Sequence, residues 1–289
     1  MYDDILFPTD GSDMAASVLE YVADVAAAHD ATLYVLHVAD TNRDSVSAIR
    51  GEVVDALEDA GERIVAETAE RVRDHGVDVR SDVVQGDPAR TVVEYADRID
   101  ADLVAMPTHG RSGLERVLLG SVTERVVNTS PVPVLVVNPD GDRTYRYPPR
   151  DVLVPTDGSA GAARALEEGV EIAAAADATL HVLHVVETGS LGPDARSVVR
   201  ENQLDEHAQE IVDSAVETAE ETLSDVVGTV GYGTPHREIR TYIDTEEIDL
   251  LALGTQGQTD FSWYALGGVS SKLVRASPVP LVMTRTGDE

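Results

Sequence analysis

The feature that most constrains this chain is an internal repeat. The run Ile5-Leu6-Phe7-Pro8-Thr9-Asp10-Gly11-Ser12 returns as Val152-Leu153-Val154-Pro155-Thr156-Asp157-Gly158-Ser159, and the run from Ala31 to Val38 returns from Ala178 to Val185. Gly86 and Gly233, Gly110 and Gly257, Gly120 and Gly267, Pro131 and Pro278, and Pro133 and Pro280 keep the same separation of 147 residues. A constant offset between anchors so far apart marks a tandem duplication with little net length change inside either copy. The 289 residues are therefore expected to form two domains, 1–140 and 150–289, joined by the polar, proline-ended linker 141–149.

Within one copy, strands and helices alternate. Asp4 to Pro8 reads as a short buried strand, and Ser12 or Asp13 can cap a helix with Val18, Leu19, Val22 and Ala26 on one face. Ala31 to Val38 is nearly continuous in apolar residues, as a strand covered on both faces requires. A long helix from about Glu52 to His75 follows, then a strand from Val77 to Val84. Pro88 fits the first turn of the next helix. Leu103 to Met106 is the fourth strand, Ser121 to Thr129 a helix, and Pro131 to Val137 a fifth strand whose prolines suit an edge. The fold class expected is α/β: two tandem Rossmann-like domains, each a five-stranded, mostly parallel sheet with helices on both faces.

Composition narrows the chemistry. The chain has no cysteine, which excludes disulfides, thiolate nucleophiles and cysteine-bound zinc, and its eight histidines are scattered, so no metal is expected. The net charge of −31 is spread along the chain, which disfavours nucleic acid and membrane partners. Lys272 is the sole lysine; the pairing of abundant Asp and Glu with almost no lysine suits a salt-rich, halophile cytoplasm. The start lacks a secretory pattern, so a cytoplasmic location is expected. Tyr145, Tyr147, Phe261 and Trp263 are too scattered to form a nucleic-acid stacking surface.

The stretch from Leu103 to Val122 is the candidate site. In an open α/β sheet, ligands sit beyond the carboxyl ends of the strands where the winding reverses. If strands one and four flank that reversal, Pro8, Thr9 and Asp10 face the loop of Thr108, His109 and Gly110 across one crevice. Gly110 and Gly120 let the backbone approach a ligand, and the helix beginning at Ser121 offers free N–H groups to a phosphate. Arg111 and the Ser121 hydroxyl can add charge-assisted contacts. His37 and His184, inside apolar strands, read as hydrogen-bonded core histidines, whereas His109 lies in the loop itself.

The Pro-Thr-Asp-Gly-Ser strand end, the Leu-His-Val strand, the spacing from Gly110 to Gly120-Ser121 and the terminal Pro-Val-Pro strand resemble the universal stress protein family. The resemblance covers both repeats. It implies binding of ATP or another adenine nucleotide, with Mg²⁺ as a companion ion. Asp10 would lie by the ribose or a phosphate-bound Mg²⁺, Val38 and Met106 would flank adenine, and Gly110, Gly120, Ser121 and Val122 would hold phosphates. Asp157 and Val185 would serve likewise in the second repeat. The resemblance also implies pairing of the fifth strands across a two-fold axis, hence an internal pseudo-dimer of the repeats and a further homodimer.

Each copy departs from the family's Gly-x2-Gly-x9-Gly-Ser/Thr pattern. Pro107 replaces the leading glycine in the first, removing a backbone donor. In the second, Gly254, Gly257 and Gly267 match, but Gly268 replaces the hydroxyl residue and Gln258 stands where Arg111 does. The first repeat is accordingly expected to be the better triphosphate site. No nucleophile is paired with a base, so a stress-response regulator is expected rather than a turnover enzyme. A nucleotide-free interaction scaffold and a slow metal-dependent ATPase are the alternatives.

Overall fold

The computed structural model describes residues 2–40, 52–109, 119–138, 145–188, 203–257 and 266–286. The chain divides into two compact units, Met1–Pro148 and Pro149–Glu289.

In the first unit the strands are β1 (Asp4–Pro8), β2 (Thr32–Asp40), β3 (Val79–Gly86), β4 (Leu103–Pro107) and β5 (Val134–Val137). The helices are α1 (Asp13–His29), α2 (Glu52–Asp74), α3 (Pro88–Arg98) and α4 (Ser121–Thr129). The strands are hydrogen-bonded in the order β3-β2-β1-β4-β5, every pair parallel. The chain winds one way from β1 through β3 and the other way from β4, so the winding reverses between β1 and β4.

Burial explains why these segments form. Ile5, Leu6 and Phe7 of β1 and Val104 and Ala105 of β4 are fully buried, because helices cover the sheet and a buried parallel strand has no polar face. Val18, Leu19, Val22 and Ala26 form the buried side of α1, as the periodicity predicts. Along α2, Val65, Ala69 and Val72 face inward, and the charged residues between them lie on the solvated side. β5 begins at Val134, three residues later than the apolar run suggests. Pro131 and Pro133 have no N–H for the ladder, and the Ser130 hydroxyl instead donates to the Val132 carbonyl at 2.7 Å, turning the chain before the strand starts.

The second unit repeats the plan with β6 (Asp151–Pro155), α5 (Ala160–Ala176), β7 (Thr179–Glu187), α6 (Gln203–Glu220), β8 (Val226–Gly233), α7 (Pro235–Thr245), β9 (Leu250–Gly254), α8 (Gly268–Ala276) and β10 (Leu281–Thr284). Its order is β8-β7-β6-β9-β10, again parallel throughout. Apart from the long helices α2 and α6, each element has the same length as its counterpart and lies 147 residues beyond it.

Tyr145 and Tyr147, placed in the linker by sequence, belong to the first unit. Both pack edge-on against Tyr21 of α1. The Tyr145 hydroxyl donates to the Asn138 carbonyl, and the Tyr147 hydroxyl hydrogen-bonds His29. Burial holds His29 below the ordinary histidine value. No helix among the described residues is long and apolar enough to cross a membrane.

Candidate functional site

The turn after β1 is built by its own polar side chains. Thr9 N–H donates to the Leu36 carbonyl at 2.8 Å, the Thr9 hydroxyl accepts from Gly11 N at 3.1 Å, and Asp10 Oδ1 accepts from Ser12 N at 3.0 Å. Ser12 then caps α1 by accepting from Ala15 N. His37 Nδ1 lies 2.9 Å from the Thr9 carbonyl and holds the turn from behind. Thr156, Asp157, Ser159 and His184 repeat each contact in the second unit. His37 and His184 are therefore hydrogen-bonded, as the sequence suggests, but both are only half-buried.

The loop after the fourth strand leaves and returns at a fixed point. Thr108 N–H extends the β5 ladder to the Val137 carbonyl at 3.0 Å, and the returning Gly120 N–H donates to the Thr108 carbonyl at 2.8 Å. A Cβ at Gly120 would sit 3.2 Å from both that carbonyl oxygen and His109 Cα, so glycine is what lets the loop close. The Thr123 hydroxyl ties α4 to the Pro107 carbonyl at 3.0 Å. In the second unit Gly267 N–H closes on the Thr255 carbonyl at 2.9 Å, and Ser270 ties α8 to the Gly254 carbonyl at 2.8 Å.

In the first unit Pro8, Thr9 and Asp10 lie at the end of β1, Val38 half-buried on β2, and Met106 buried on β4. Thr108 is buried and its hydroxyl lies 2.9 Å from Nδ1 of the equally buried His109. Ser121 is exposed at the first turn of α4, with Val122 half-buried beside it. Gly110 and Arg111, and in the second repeat Gln258, Phe261 and Trp263, lie outside the described residues.

In the second unit the sequence-selected positions converge. Asp157, Val185, Gly254, Gly257, Gly267 and Gly268 all line one cavity of about 630 Å³ beyond the carboxyl ends of β6, β7 and β9. A volume of this order suits a small-molecule ligand. Asp157 and the loop face each other at close range, since a Cβ on Gly257 would lie 2.6 Å from Asp157 Oδ2. Leu253 and Ile239 supply apolar wall, while Gln256, His184, His207, Glu187 and Lys272 supply polar groups. Of these, Lys272 carries a signal in the sequence, as the one lysine of the chain. Leu253 is the counterpart of Met106, 147 residues further on.

Lys272 supplies an ammonium to the cavity lining, alongside the carboxylates of Asp157 and Glu187. Burial, and then the charges of Lys272, Arg237 and Arg240, hold His236 below the ordinary histidine value. The N–H groups at the start of α8 add partial positive charge. The cavity therefore joins an apolar wall, carboxylates at Asp157 and Glu187 and one ammonium at Lys272, a combination suited to a ligand with both apolar and polar parts. Among the described residues no group of three or more His, Asp or Glu side chains is placed to hold a metal ion.

Comparison with known proteins agrees in both halves. The sequence model of the universal stress protein family matches residues 1–138 and again 149–285. A universal stress protein of Methanocaldococcus jannaschii is 34% identical over 140 residues, 47% of this chain and 82% of that protein. A universal stress protein of Mycolicibacterium smegmatis is 24% identical over 97% of this chain and 96% of its own length. The crystal structure of a universal stress protein from Archaeoglobus fulgidus superposes with a TM-score of 0.77 at 25% identity, covering 98% of each chain.

Proposed function

The chain belongs to the universal stress protein family as two such domains in tandem, and from that premise we propose that it binds an adenine nucleotide beyond the carboxyl ends of the strands in each repeat. The observation that carries this reading is the convergence of Asp157, Val185, Gly254, Gly257, Gly267 and Gly268 on one cavity. Val185 and Leu253 are positioned for a flat base, Asp157 for a ribose hydroxyl or a phosphate-bound Mg²⁺, and the start of α8 for phosphate.

The closeness of Gly257 to Asp157 fits this use, because any Cβ there would occupy the space between the carboxylate and the loop. In the first repeat Asp10, Val38, Met106, Gly120, Ser121 and Val122 take the same roles, with Thr108, His109, Gly110 and Arg111 completing the loop. Ser121, exposed at the first turn of α4, adds a hydroxyl donor that Gly268 lacks, which favours the first repeat for a triphosphate. The protein acts as a stress-response regulator in the cytoplasm, with nucleotide occupancy as its signal.

The test is mass spectrometry of ligand released from protein purified in high salt, together with calorimetry against ATP and AMP. Released adenine nucleotide or saturable binding heat is the expected result. Absence of both would overturn the reading in favour of an interaction scaffold.

A further inference from the structure

The two repeats differ in how they use the cation in the second turn of the helix after the loop. In the first repeat this residue is Arg125, and its guanidinium is held by Asp87, Nη1 to Oδ2 at 3.1 Å. Asp87 is also the N-cap of α3, accepting from Arg90 N at 3.0 Å. The helix pair α3 and α4 thus keeps its cation neutralised by a neighbouring cap.

In the second repeat the counterparts are Lys272 and Thr234. Thr234 is the N-cap of α7, has no carboxylate, and makes no side-chain capping bond. Lys272 forms no ion pair among the described residues and lines the cavity. It lies four residues after Gly268, on the same helix face. Among the described residues nothing lies within 4 Å of a Cβ built on Gly268, so the space beside the start of α8 is open to them. Among the described residues no packing contact requires glycine at this first helical position.

We infer that Lys272 recognises the phosphate of the ligand in the second cavity, and that replacement of the Asp87-type cap by Thr234 is what frees it to do so. The inference rests on the nucleotide reading and adds its second-site chemistry. The first repeat presents a hydroxyl at Ser121 with its cation tied down. The second presents open backbone at Gly268 with an ammonium one turn further on that has no ion-pair partner among the described residues. A lysine ammonium is a compact point charge on a flexible stem, able to follow a phosphate that approaches the unobstructed N–H groups of Gly268 and Val269.

Lys272 is the one lysine in the chain, which makes the test specific to the second repeat. Reductive methylation with isotopically labelled formaldehyde keeps the positive charge and gives one lysine resonance, distinct from the terminal amine. Titration in high salt with AMP or ATP is expected to shift this resonance saturably, and adenosine is expected to leave it in place. A resonance unmoved at nucleotide concentrations where calorimetry shows saturated binding would overturn the role of Lys272 and leave the nucleotide reading standing. No binding heat with any of the three ligands would sink both.

A substitution outside the cavity lining gives an independent test. Thr234→Asp places a carboxylate where Asp87 stands in the first repeat, and aspartate caps a helix at least as well as threonine. AMP affinity of the second site, read from the same resonance, is expected to fall roughly two- to fivefold, about what an exposed ion pair competing for the ammonium can withhold. The thermal midpoint should hold or rise. Unchanged AMP affinity in a folded Thr234→Asp protein would contradict the inference.

Discussion

Gly161 and Gly254 show how closely two backbones meet beside the second cavity. A Cβ on Gly161 would lie 2.2 Å from the Gln256 carbonyl oxygen, and one on Gly254 would lie 2.5 Å from the Gly161 carbonyl oxygen. Backbone atoms cannot yield as a flexible side-chain end can, so Gly161→Ala is expected to destabilise by about 1–3 kcal/mol, measured by thermal or denaturant unfolding. The first repeat has Met14 and Pro107 at these two positions. Sequence alone made Pro107 a lost donor to ligand; the structure shows that the leading glycine also serves helix-to-strand packing, and that both members of that contact differ together.

A second residue-scale prediction concerns Tyr95, whose hydroxyl bonds Asp82. Burial, reinforced by that carboxylate, pushes the phenol up to about 12. Because the folded value exceeds the unfolded one, this contribution to stability is complete below about pH 10 and is lost as pH rises through 12. Tyr95→Phe should remove the most alkaline step from a phenolate absorbance titration; an unchanged profile would show that Tyr95 titrates normally.

At the scale of elements, caps decide where the helices begin. Asp87→Ala removes the α3 cap together with the pair to Arg125 and should cost about 1 kcal/mol, mostly through the cap because the ion pair is exposed. The backbone bond from Arg90, ahead of Arg125, keeps the Asp87 carboxyl below its ordinary value. That stabilisation is present above the ordinary carboxylate range and is lost as pH falls through the lowered value, so Asp87→Ala should narrow the gap in stability between neutral and acidic solution.

The same elements show what sequence could resolve. Continuous apolar runs at Leu33 to Leu36 and Leu103 to Met106 marked buried parallel strands, and Ser12 and Pro88 marked helix starts, because those signals are local. The repeat supplied the register between copies. The cavity wall was harder to see. His207, Ile239 and Lys272 reach it from α6, α7 and α8, and nothing in their immediate neighbours in sequence states which way those helices face. Lys272 stood out only as a compositional oddity until the fold placed it beside Gly268.

At the scale of the molecule, 53 acidic residues against 22 basic ones set the response to salt. Mutual repulsion opposes the compact state at low ionic strength, and screening shortens from about 10 Å at 0.1 M to about 3 Å at 1 M. The thermal midpoint should therefore rise as potassium chloride increases over that range. A midpoint that falls or stays flat would show that dispersed carboxylates do not govern stability.

Ligand binding is expected to persist in the same high salt, because backbone N–H groups and Lys272 act at contact distance. The most direct measurement is a crystal structure with AMP or ATP grown in high salt. The account predicts adenine against Val185 and Leu253, ribose by Asp157, and phosphate over Gly267 and Gly268 within reach of Lys272. A well-ordered cavity without nucleotide at saturating concentration would contradict it.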